Sequence, residues 1–408
     1  MRSETFDVDK EVKFNSEGAA IIECKIGNAK DMFSPYVAAP GVWAIAILIY
    51  YFLPNTFYPI KGNFPFVLSI WLIGFFISSI IGDFFTTNAS MISCLRKPNM
   101  TVLNIYTIIV CICVPIYCGI IVHQVFTEEP ENLFRYMRVM NTGQSEDIEM
   151  PKLGILTYTI TLAYVMIFFG LLYFKSKTIK VVIILLNILI AMVTMAKIAV
   201  LSILFSSLYL CFVKKYIKLR HMAYGMIVFI GFSFLIQDLR HDLDDTETTN
   251  FLALYLSSSM VAFDYYALPC SSIFFGEYTF RIFYAIGHVI GLTSAPSDTI
   301  LEFVSIPDTT NTYTCLYPFY TDFGILGVLI GSIIYGLFYG YLYKKCKTGG
   351  KYELILYAIF LTYILLGFFA ELIFTNMSIT LQYMFFALLP FLLGSKNIDT
   401  ITYKIKNK

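Results

Sequence analysis

Charged side chains are scarce in this 408-residue chain: Asp, Glu, Lys and Arg together make up 14% of it, with four histidines and two tryptophans. Soluble domains carry roughly a quarter of their residues charged, so a water-solvated globular protein is excluded. The nine cysteines contain no CxxC and no cysteine–histidine spacing of the zinc kind, which argues against a structural zinc site. No internal repeat is visible, unlike the duplicated halves of many secondary transporters. The first 30 residues carry Asp7, Asp9, Glu11, Glu17 and Glu23 and no apolar core region, so no cleavable signal peptide is expected and insertion falls to the first span. A net charge of +1 supplies no basic surface, and nucleic acid is not expected as a partner.

Apolar residues are abundant: 58% of the chain is hydrophobic, 17% aromatic, and the mean hydropathy is +0.71. The expected class is an all-α, polytopic integral membrane protein. Runs able to cross roughly 30 Å of hydrocarbon lie near 37–53, 64–86, 101–123, 152–174, 220–238, 318–343, 352–375 and 379–394. Lys180–Val213 reads either as one long helix or as a hairpin turning at Thr194-Met195-Ala196-Lys197. The hairpin gives ten spans and puts 22 of the 29 Lys and Arg on one side, whereas a single helix splits them 12 against 16 with Lys197 inside the span. Because positive loops stay on the cytoplasmic side, the hairpin is preferred and both termini are expected in the cytoplasm. The division is then a polar tail at 1–34, seven spans over 35–238 with an outer segment at 124–151, a long outer loop at 239–317, three spans over 318–395, and a basic tail at 396–408.

Chemistry is expected among the few polar groups of the outer segments. Arg135 and Arg138 are three apart and share a face if helical; guanidinium groups suit phosphate oxygens, and pairing with Glu128, Glu129 or Glu131 is the alternative. Lys197, at the hairpin turn, is either functional or snorkelling to the interface. Arg240, His241, Asp242, Asp244 and Asp245 form a cluster that reads more readily as a solvated helix end than as an oxygen-ligand metal site, so no metal or other cofactor is expected. Asp264, set in Met260-Val-Ala-Phe-Asp-Tyr-Tyr-Ala, is either a general base or a turn cap. In Thr279–Gly291, a helix would align Arg281, Tyr284 and His288 on one face and leave Phe280, Phe283, Ile286, Val289 and Ile290 for a membrane interface. His288 there is a candidate base, or merely part of a wet face. Asp322 opens the eighth span, where the helix macrodipole alone would account for it. Cys270 and Cys315 share the long loop, and their pairing is left open.

Asn311-Thr-Tyr-Thr followed by Tyr320-Thr-Asp322-Phe-Gly324-Ile-Leu-Gly327 resembles the signature before a late span in O-antigen or oligosaccharide repeat-unit polymerases of the Wzy type. Ala262-Phe-Asp264-Tyr, Phe275-Gly276 and Thr279-Phe280 are similar to that family's long periplasmic loop. Ala196-Lys197-Ile-Ala-Val-Leu resembles the basic residue opening a span in the polymerases and in the related ligases, and Phe33-Ser34-Pro35 is similar as well. Two departures stand out. Lys197 replaces the usual arginine, and Thr310 stands where the ligases have histidine, so the ligases' catalytic histidine has no counterpart at that position.

The resemblance implies a GT-C-like fold in a bacterial inner membrane. It further implies a glycosyltransferase that joins a polyprenyl-diphosphate-linked glycan donor to a second lipid-linked repeat unit, with a chain-length regulator as a further partner. Arg135, Arg138, Lys197, Arg240 or Arg281 would stabilise the departing diphosphate without metal. His288 or Asp264 would deprotonate the acceptor hydroxyl, and Asn311, Tyr313 and Asp322 would bind substrate. Two rival classes are a lipid-linked oligosaccharide flippase, which would line its spans with charge, and a membrane O-acyltransferase, which would bring a histidine earlier than His123.

Overall fold

Long apolar runs must satisfy their own backbone N–H and C=O groups wherever water is absent, and the helix is the local way to do so. The computed structural model describes residues 10–14, 20–24, 31–86, 96–128, 131, 133–142, 151, 153–195, 197–221, 224–225, 227, 231, 251–298, 300–347 and 350–395. Most of the span expected at 220–238, and the whole Arg240–Asp245 cluster, lie outside these residues.

The described helices are α1 (Pro35–Phe52), α2 (Phe64–Phe85), α3 (Met100–Glu128), α4 (Leu133–Thr142), α5 (Tyr158–Tyr173), α6 (Lys177–Val193), α7 (Lys197–Val213), α8 (Phe251–Tyr266), α9 (Arg281–Val289), α10 (Tyr317–Lys347), α11 (Lys351–Leu365) and α12 (Met377–Leu392). Among the described residues, five helical stretches are long and apolar enough to cross a membrane: Pro35–Phe52, Phe64–Phe85, Met100–Glu128, Gly154–Tyr173 and Tyr317–Lys347. The chain is thus mostly helical. The remaining apolar helices are shorter, and the hairpin expected at 194–197 is present as α6 and α7, with Met195 at φ 48° making the turn.

Two small sheets add to the all-α reading. The tail, expected as a solvated extension, carries β1 (Lys10–Phe14) antiparallel to β2 (Ala20–Cys24), and the long loop carries the two-residue pair β3 (Val304–Ser305) and β4 (Thr309–Thr310).

The tightest packing joins α2 to α10 through small residues, which let helix backbones approach where no hydrophobic force drives association between helices. A Cβ on Gly336 would lie 1.9 Å from Ser78 Oγ, and one on Gly340 would lie 2.1 Å from the Ser79 carbonyl oxygen and 2.8 Å from the Asp83 nitrogen. Ser78 donates across this seam to the Ser332 carbonyl at 3.2 Å. Side-chain bonds join other helices: Asn187 to the Ala163 carbonyl at 2.9 Å, Tyr164 to Ser206 at 2.9 Å, and Tyr339 to the Phe360 carbonyl at 2.8 Å. Gly340→Leu would collide with fixed backbone and force the pair apart. Overpacking costs about 1–3 kcal/mol, so thermal unfolding in detergent should shift clearly downward, whereas Gly119→Ala, in a helix interior with open space at its Cβ, should leave it unchanged or raise it slightly.

Two departures from the expected spans shape the site. Gly324 breaks α10 with φ 62° and ψ −148°, a conformation only glycine adopts without strain. The Tyr320 and Thr321 carbonyls then accept the backbone N–H groups of Cys270 at 3.2 Å and Ser271 at 2.8 Å. The span expected over 352–375 stops at Leu365, and 366–376 continues as turns. There Thr314 and Cys315 donate to the Phe369 and Gly367 carbonyls at 3.2 and 2.8 Å.

The helix ends sort into two groups. At one end Lys344 pairs with Asp83 at 3.8 Å, Lys351 lies 5.9 Å from the Tyr173 ring, Arg96 donates to the Leu392 carbonyl, and Lys180 and Lys214 neighbour Cys211 and Cys346. This end is lysine-rich. The α1–α2 and α6–α7 turns, α9, the start of α10 and the α11–α12 connection lie at the other.

Candidate functional site

At the end opposite the lysine-rich one, a cavity of about 320 Å³ opens between α4, the α6–α7 turn, α9, the segment between β4 and α10, and the α11–α12 connection. Volumes of about 300–1,000 Å³ are typical of ligand pockets. Its walls carry Arg138 and Asn141 from α4, Arg281 from α9, Asn311 and Tyr313 from the segment after β4, and Glu371 from the connection.

Each is set by its element. The helix α4 turns Met137 and Met140 into the core, Arg138 lies off that face, and Asn141, one turn after Met137, lies at its edge, so that both line the cavity. Asn141 also donates to the Val193 carbonyl at 3.3 Å, tying α4 to the α6–α7 turn, whose Thr194 and Ile198 line the cavity. Glu128, considered as a partner for these arginines, accepts from the Tyr136 hydroxyl and from Gln124. Arg281 donates through Nε to the Ser297 carbonyl, and Ser297 Oγ donates to the Glu277 carbonyl at 2.9 Å. Burial pulls the Arg281 guanidinium down from its usual value while neighbouring Asp298 acts the other way; a guanidinium so far above neutrality keeps its charge.

Three tyrosines make an aromatic wall. Tyr313 and Tyr317 have ring centroids 4.7 Å apart, and Tyr278 lies 5.6 Å from Tyr317. Tyr313 donates its hydroxyl to the Glu302 carbonyl at 3.1 Å. Burial raises the phenols of Tyr278 and Tyr313, so both stay protonated near neutral pH. Rings of this kind offer faces to sugars and hydroxyls to their oxygens.

Glu371 is the buried carboxylate of the cavity wall, 5% exposed. Its Oε1 accepts the backbone N–H groups of Ile373 at 2.8 Å and Phe374 at 2.9 Å together with the Tyr335 hydroxyl, and Oε2 accepts from Thr375 at 2.6 Å. Oε2 therefore has the greater capacity left for a ligand. Sequence reasoning passed over this residue by running a span through it. The signal was there: Glu371 is the sole charged residue between Glu353 and Lys396.

Of the residues singled out in the sequence, Arg138, Arg281, Asn311 and Tyr313 come together here. Arg135 and Lys197 occupy helical positions on α4 and at the start of α7, but their side chains lie outside the described part of the structure, as does all of Arg240. Asp264 is elsewhere. Its carboxylate accepts the backbone N–H groups of Lys61 at 2.9 Å, Gly62 at 2.8 Å and Phe64 at 3.0 Å, capping the start of α2. Asp322 accepts from the Tyr278 and Thr279 nitrogens at 3.4 and 2.7 Å, holding the turn that leads into α9. His288 is exposed on α9 and outside the cavity lining, and Tyr284 of the same expected stripe donates to the Phe275 carbonyl at 2.8 Å. Thr310 bonds to Thr312 at 3.0 Å and Ser258 at 3.4 Å. Cys270 and Cys315 are free thiols.

Asp264→Ala should remove a helix cap worth about 0.5–2 kcal/mol. A lower unfolding temperature with unchanged turnover per folded molecule is the expected result. Loss of turnover at full stability would return Asp264 to the chemistry.

Among the described residues no group of three or more His, Cys, Asp and Glu could hold a metal. No family model, curated protein or solved structure matches this chain.

Proposed function

We propose that this protein is a membrane glycosyltransferase that polymerises polyprenyl-diphosphate-linked oligosaccharide repeat units, working at the cavity described above. The observation that carries the reading is the convergence of Arg138 and Arg281, from separate elements, on a cavity that also holds Asn311, a tyrosine wall and one buried carboxylate.

The chemistry divides among these groups. An acceptor hydroxyl attacks the anomeric carbon of the donor, the new C–O bond forms, and the bond to the diphosphate breaks with its electron pair leaving on oxygen. Arg138 and Arg281 stabilise that growing charge by position and permanent charge. The acceptor proton passes to a base. Glu371 is favoured for this role over His288 and Asp264 because it is the one of the three in the cavity wall. Tyr278, Tyr313 and Tyr317 bind sugar rings.

The same proposal includes ten spans, cytoplasmic termini and an inner-membrane location, with the cavity on the extracytoplasmic face. The concentration of lysines at the opposite end, against Lys61 and Lys197 at this one, supports that orientation. Cysteine scanning in a chain whose native cysteines, among them the exposed Cys270, are replaced by serine or alanine tests it: Ser305→Cys should react with an impermeant maleimide in intact cells, and Lys347→Cys only after lysis. The reverse pattern would put the cavity in the cytoplasm and remove the function. Direct proof is reconstitution with a purified lipid-linked repeat unit, expected to give a ladder of products without metal or nucleotide. Transfer of the unit across the membrane with no new glycosidic bond would instead identify a flippase.

A further inference from the structure

The turns before and after α9 leave an unusually large apolar surface bare. Ile273 and Val289 are each 85% exposed, Phe275 and Leu292 each 77%, and Phe283 67%. Single exposed apolar residues need no explanation, but a contiguous patch marks an interaction surface. This patch is held in place from behind. Tyr284 donates to the Phe275 carbonyl at 2.8 Å, Thr293 donates to the Tyr284 carbonyl at 3.0 Å, and Asp322 fixes the Tyr278–Thr279 turn. The apolar side chains therefore project from a braced wedge.

Its surroundings say what covers it. Phe275 and Phe280 pack on Phe323 at 5.1 and 5.8 Å, and Phe323 leads directly into the exposed Ile325 and Leu326 of membrane-length α10. On another side α9 contacts α12, whose Leu381 and Phe385 are also exposed. The patch is thus continuous with the apolar outer faces of two helices and lies where they begin. Arg281, on the same nine-residue helix, lines the cavity.

We propose that α9 and its flanking turns, residues 273–276 and 281–292, are sunk into the head-group and upper acyl region of one leaflet, with bilayer hydrocarbon as the partner of this face. An amphipathic helix with one polar and one apolar side lies in that plane. The consequence is a cavity mouth at head-group depth, so that Arg281 meets the phosphates of amphiphiles diffusing within the leaflet. This inference rests on the placement of the patch and not on the polymerase reading.

The test uses Val289→Trp and Leu292→Trp, singly, in the full chain reconstituted into nanodiscs of ordinary or brominated phosphatidylcholine. The native Trp43 and Trp71 are 1% and 3% exposed, so the parent protein supplies the background. The expected result is that the added emission is lost in brominated discs and persists with aqueous acrylamide. Adding Phe283→Asp and Ile286→Asp to Leu292→Trp should reverse that pattern. Added emission quenched by acrylamide but not by bromine would overturn the proposal. Emission quenched by neither, as when a second copy covers the face, would overturn it too. Bromine quenching in a protein that makes no polymer would leave this inference standing and dismiss the polymerase reading alone.

Discussion

Arg281→Ala should lower polymer synthesis on a lipid-linked repeat unit by about 10²–10³-fold, the loss typical when one preorganised charge-stabilising donor is removed from a confined site. The guanidinium is held by its Nε bond to the Ser297 carbonyl, which leaves its two terminal nitrogens to grip a diphosphate in parallel. Arg281→Lys keeps the charge but forfeits the fork and the Ser297 tie. It should recover only part of the rate, and mainly at low salt, where screening is weakest. Arg138→Ala should act in the same direction, and the double variant should fall short of the product of the two losses because both residues serve one leaving group. The measurement is single-turnover product formation at saturating donor, compared with thermal unfolding of each variant. Full rates in Arg281→Ala and Arg138→Ala would dismiss the diphosphate clamp.

Much of the frame was legible because membrane helices announce themselves in contiguous apolar runs. The α6–α7 hairpin followed from charge placement, with Lys197 uncomfortable inside a continuous helix, and the structure turns at Met195. The helical character of Arg281–Val289 was readable from spacing, whereas at α4 the two arginines gave only the face they would share in a helix. What the sequence withheld were relations between distant segments. Asp264 reads as a carboxylate stranded among aromatics, yet the three N–H groups it accepts arrive from the α1–α2 connection about 200 residues away. Asp322 likewise reads as a helix start, because nothing local reveals that Gly324 breaks the helix and frees a turn for it to hold. The stripe Arg281, Tyr284 and His288 shares a face in projection but divides in space. Arg281 meets the cavity, Tyr284 bonds backwards to Phe275, and His288 faces out. Side chains on one short helix cannot declare which neighbour covers them.

Glu371 is the sharpest instance, and its substitution carries the second large effect. Three backbone N–H groups and the Tyr335 hydroxyl are satisfied by this one carboxylate. Glu371→Ala orphans all four, and a buried unsatisfied donor costs about 1–3 kcal/mol. The water-accessible cavity relieves some of that cost, so the expected destabilisation is about 3–5 kcal/mol, within the range for removing one member of a buried charged network. Glu371→Gln is the more informative change. Its amide oxygen can still accept from Ile373 and Phe374, but the NH₂ now confronts the Thr375 N–H that Oε2 accepts, so a smaller loss of stability is expected. If Glu371 takes the acceptor proton, the Gln variant should lose about 10²–10⁴-fold in the chemical step, the usual weight of a general base, while the donor affinity stays within a few-fold. A nucleophilic anion such as azide should then restore turnover, because it needs no base to attack the anomeric carbon. Equal loss of stability and activity in Glu371→Gln, with no rescue by azide, would assign the carboxylate to holding the α11–α12 connection and leave proton transfer to the departing diphosphate itself.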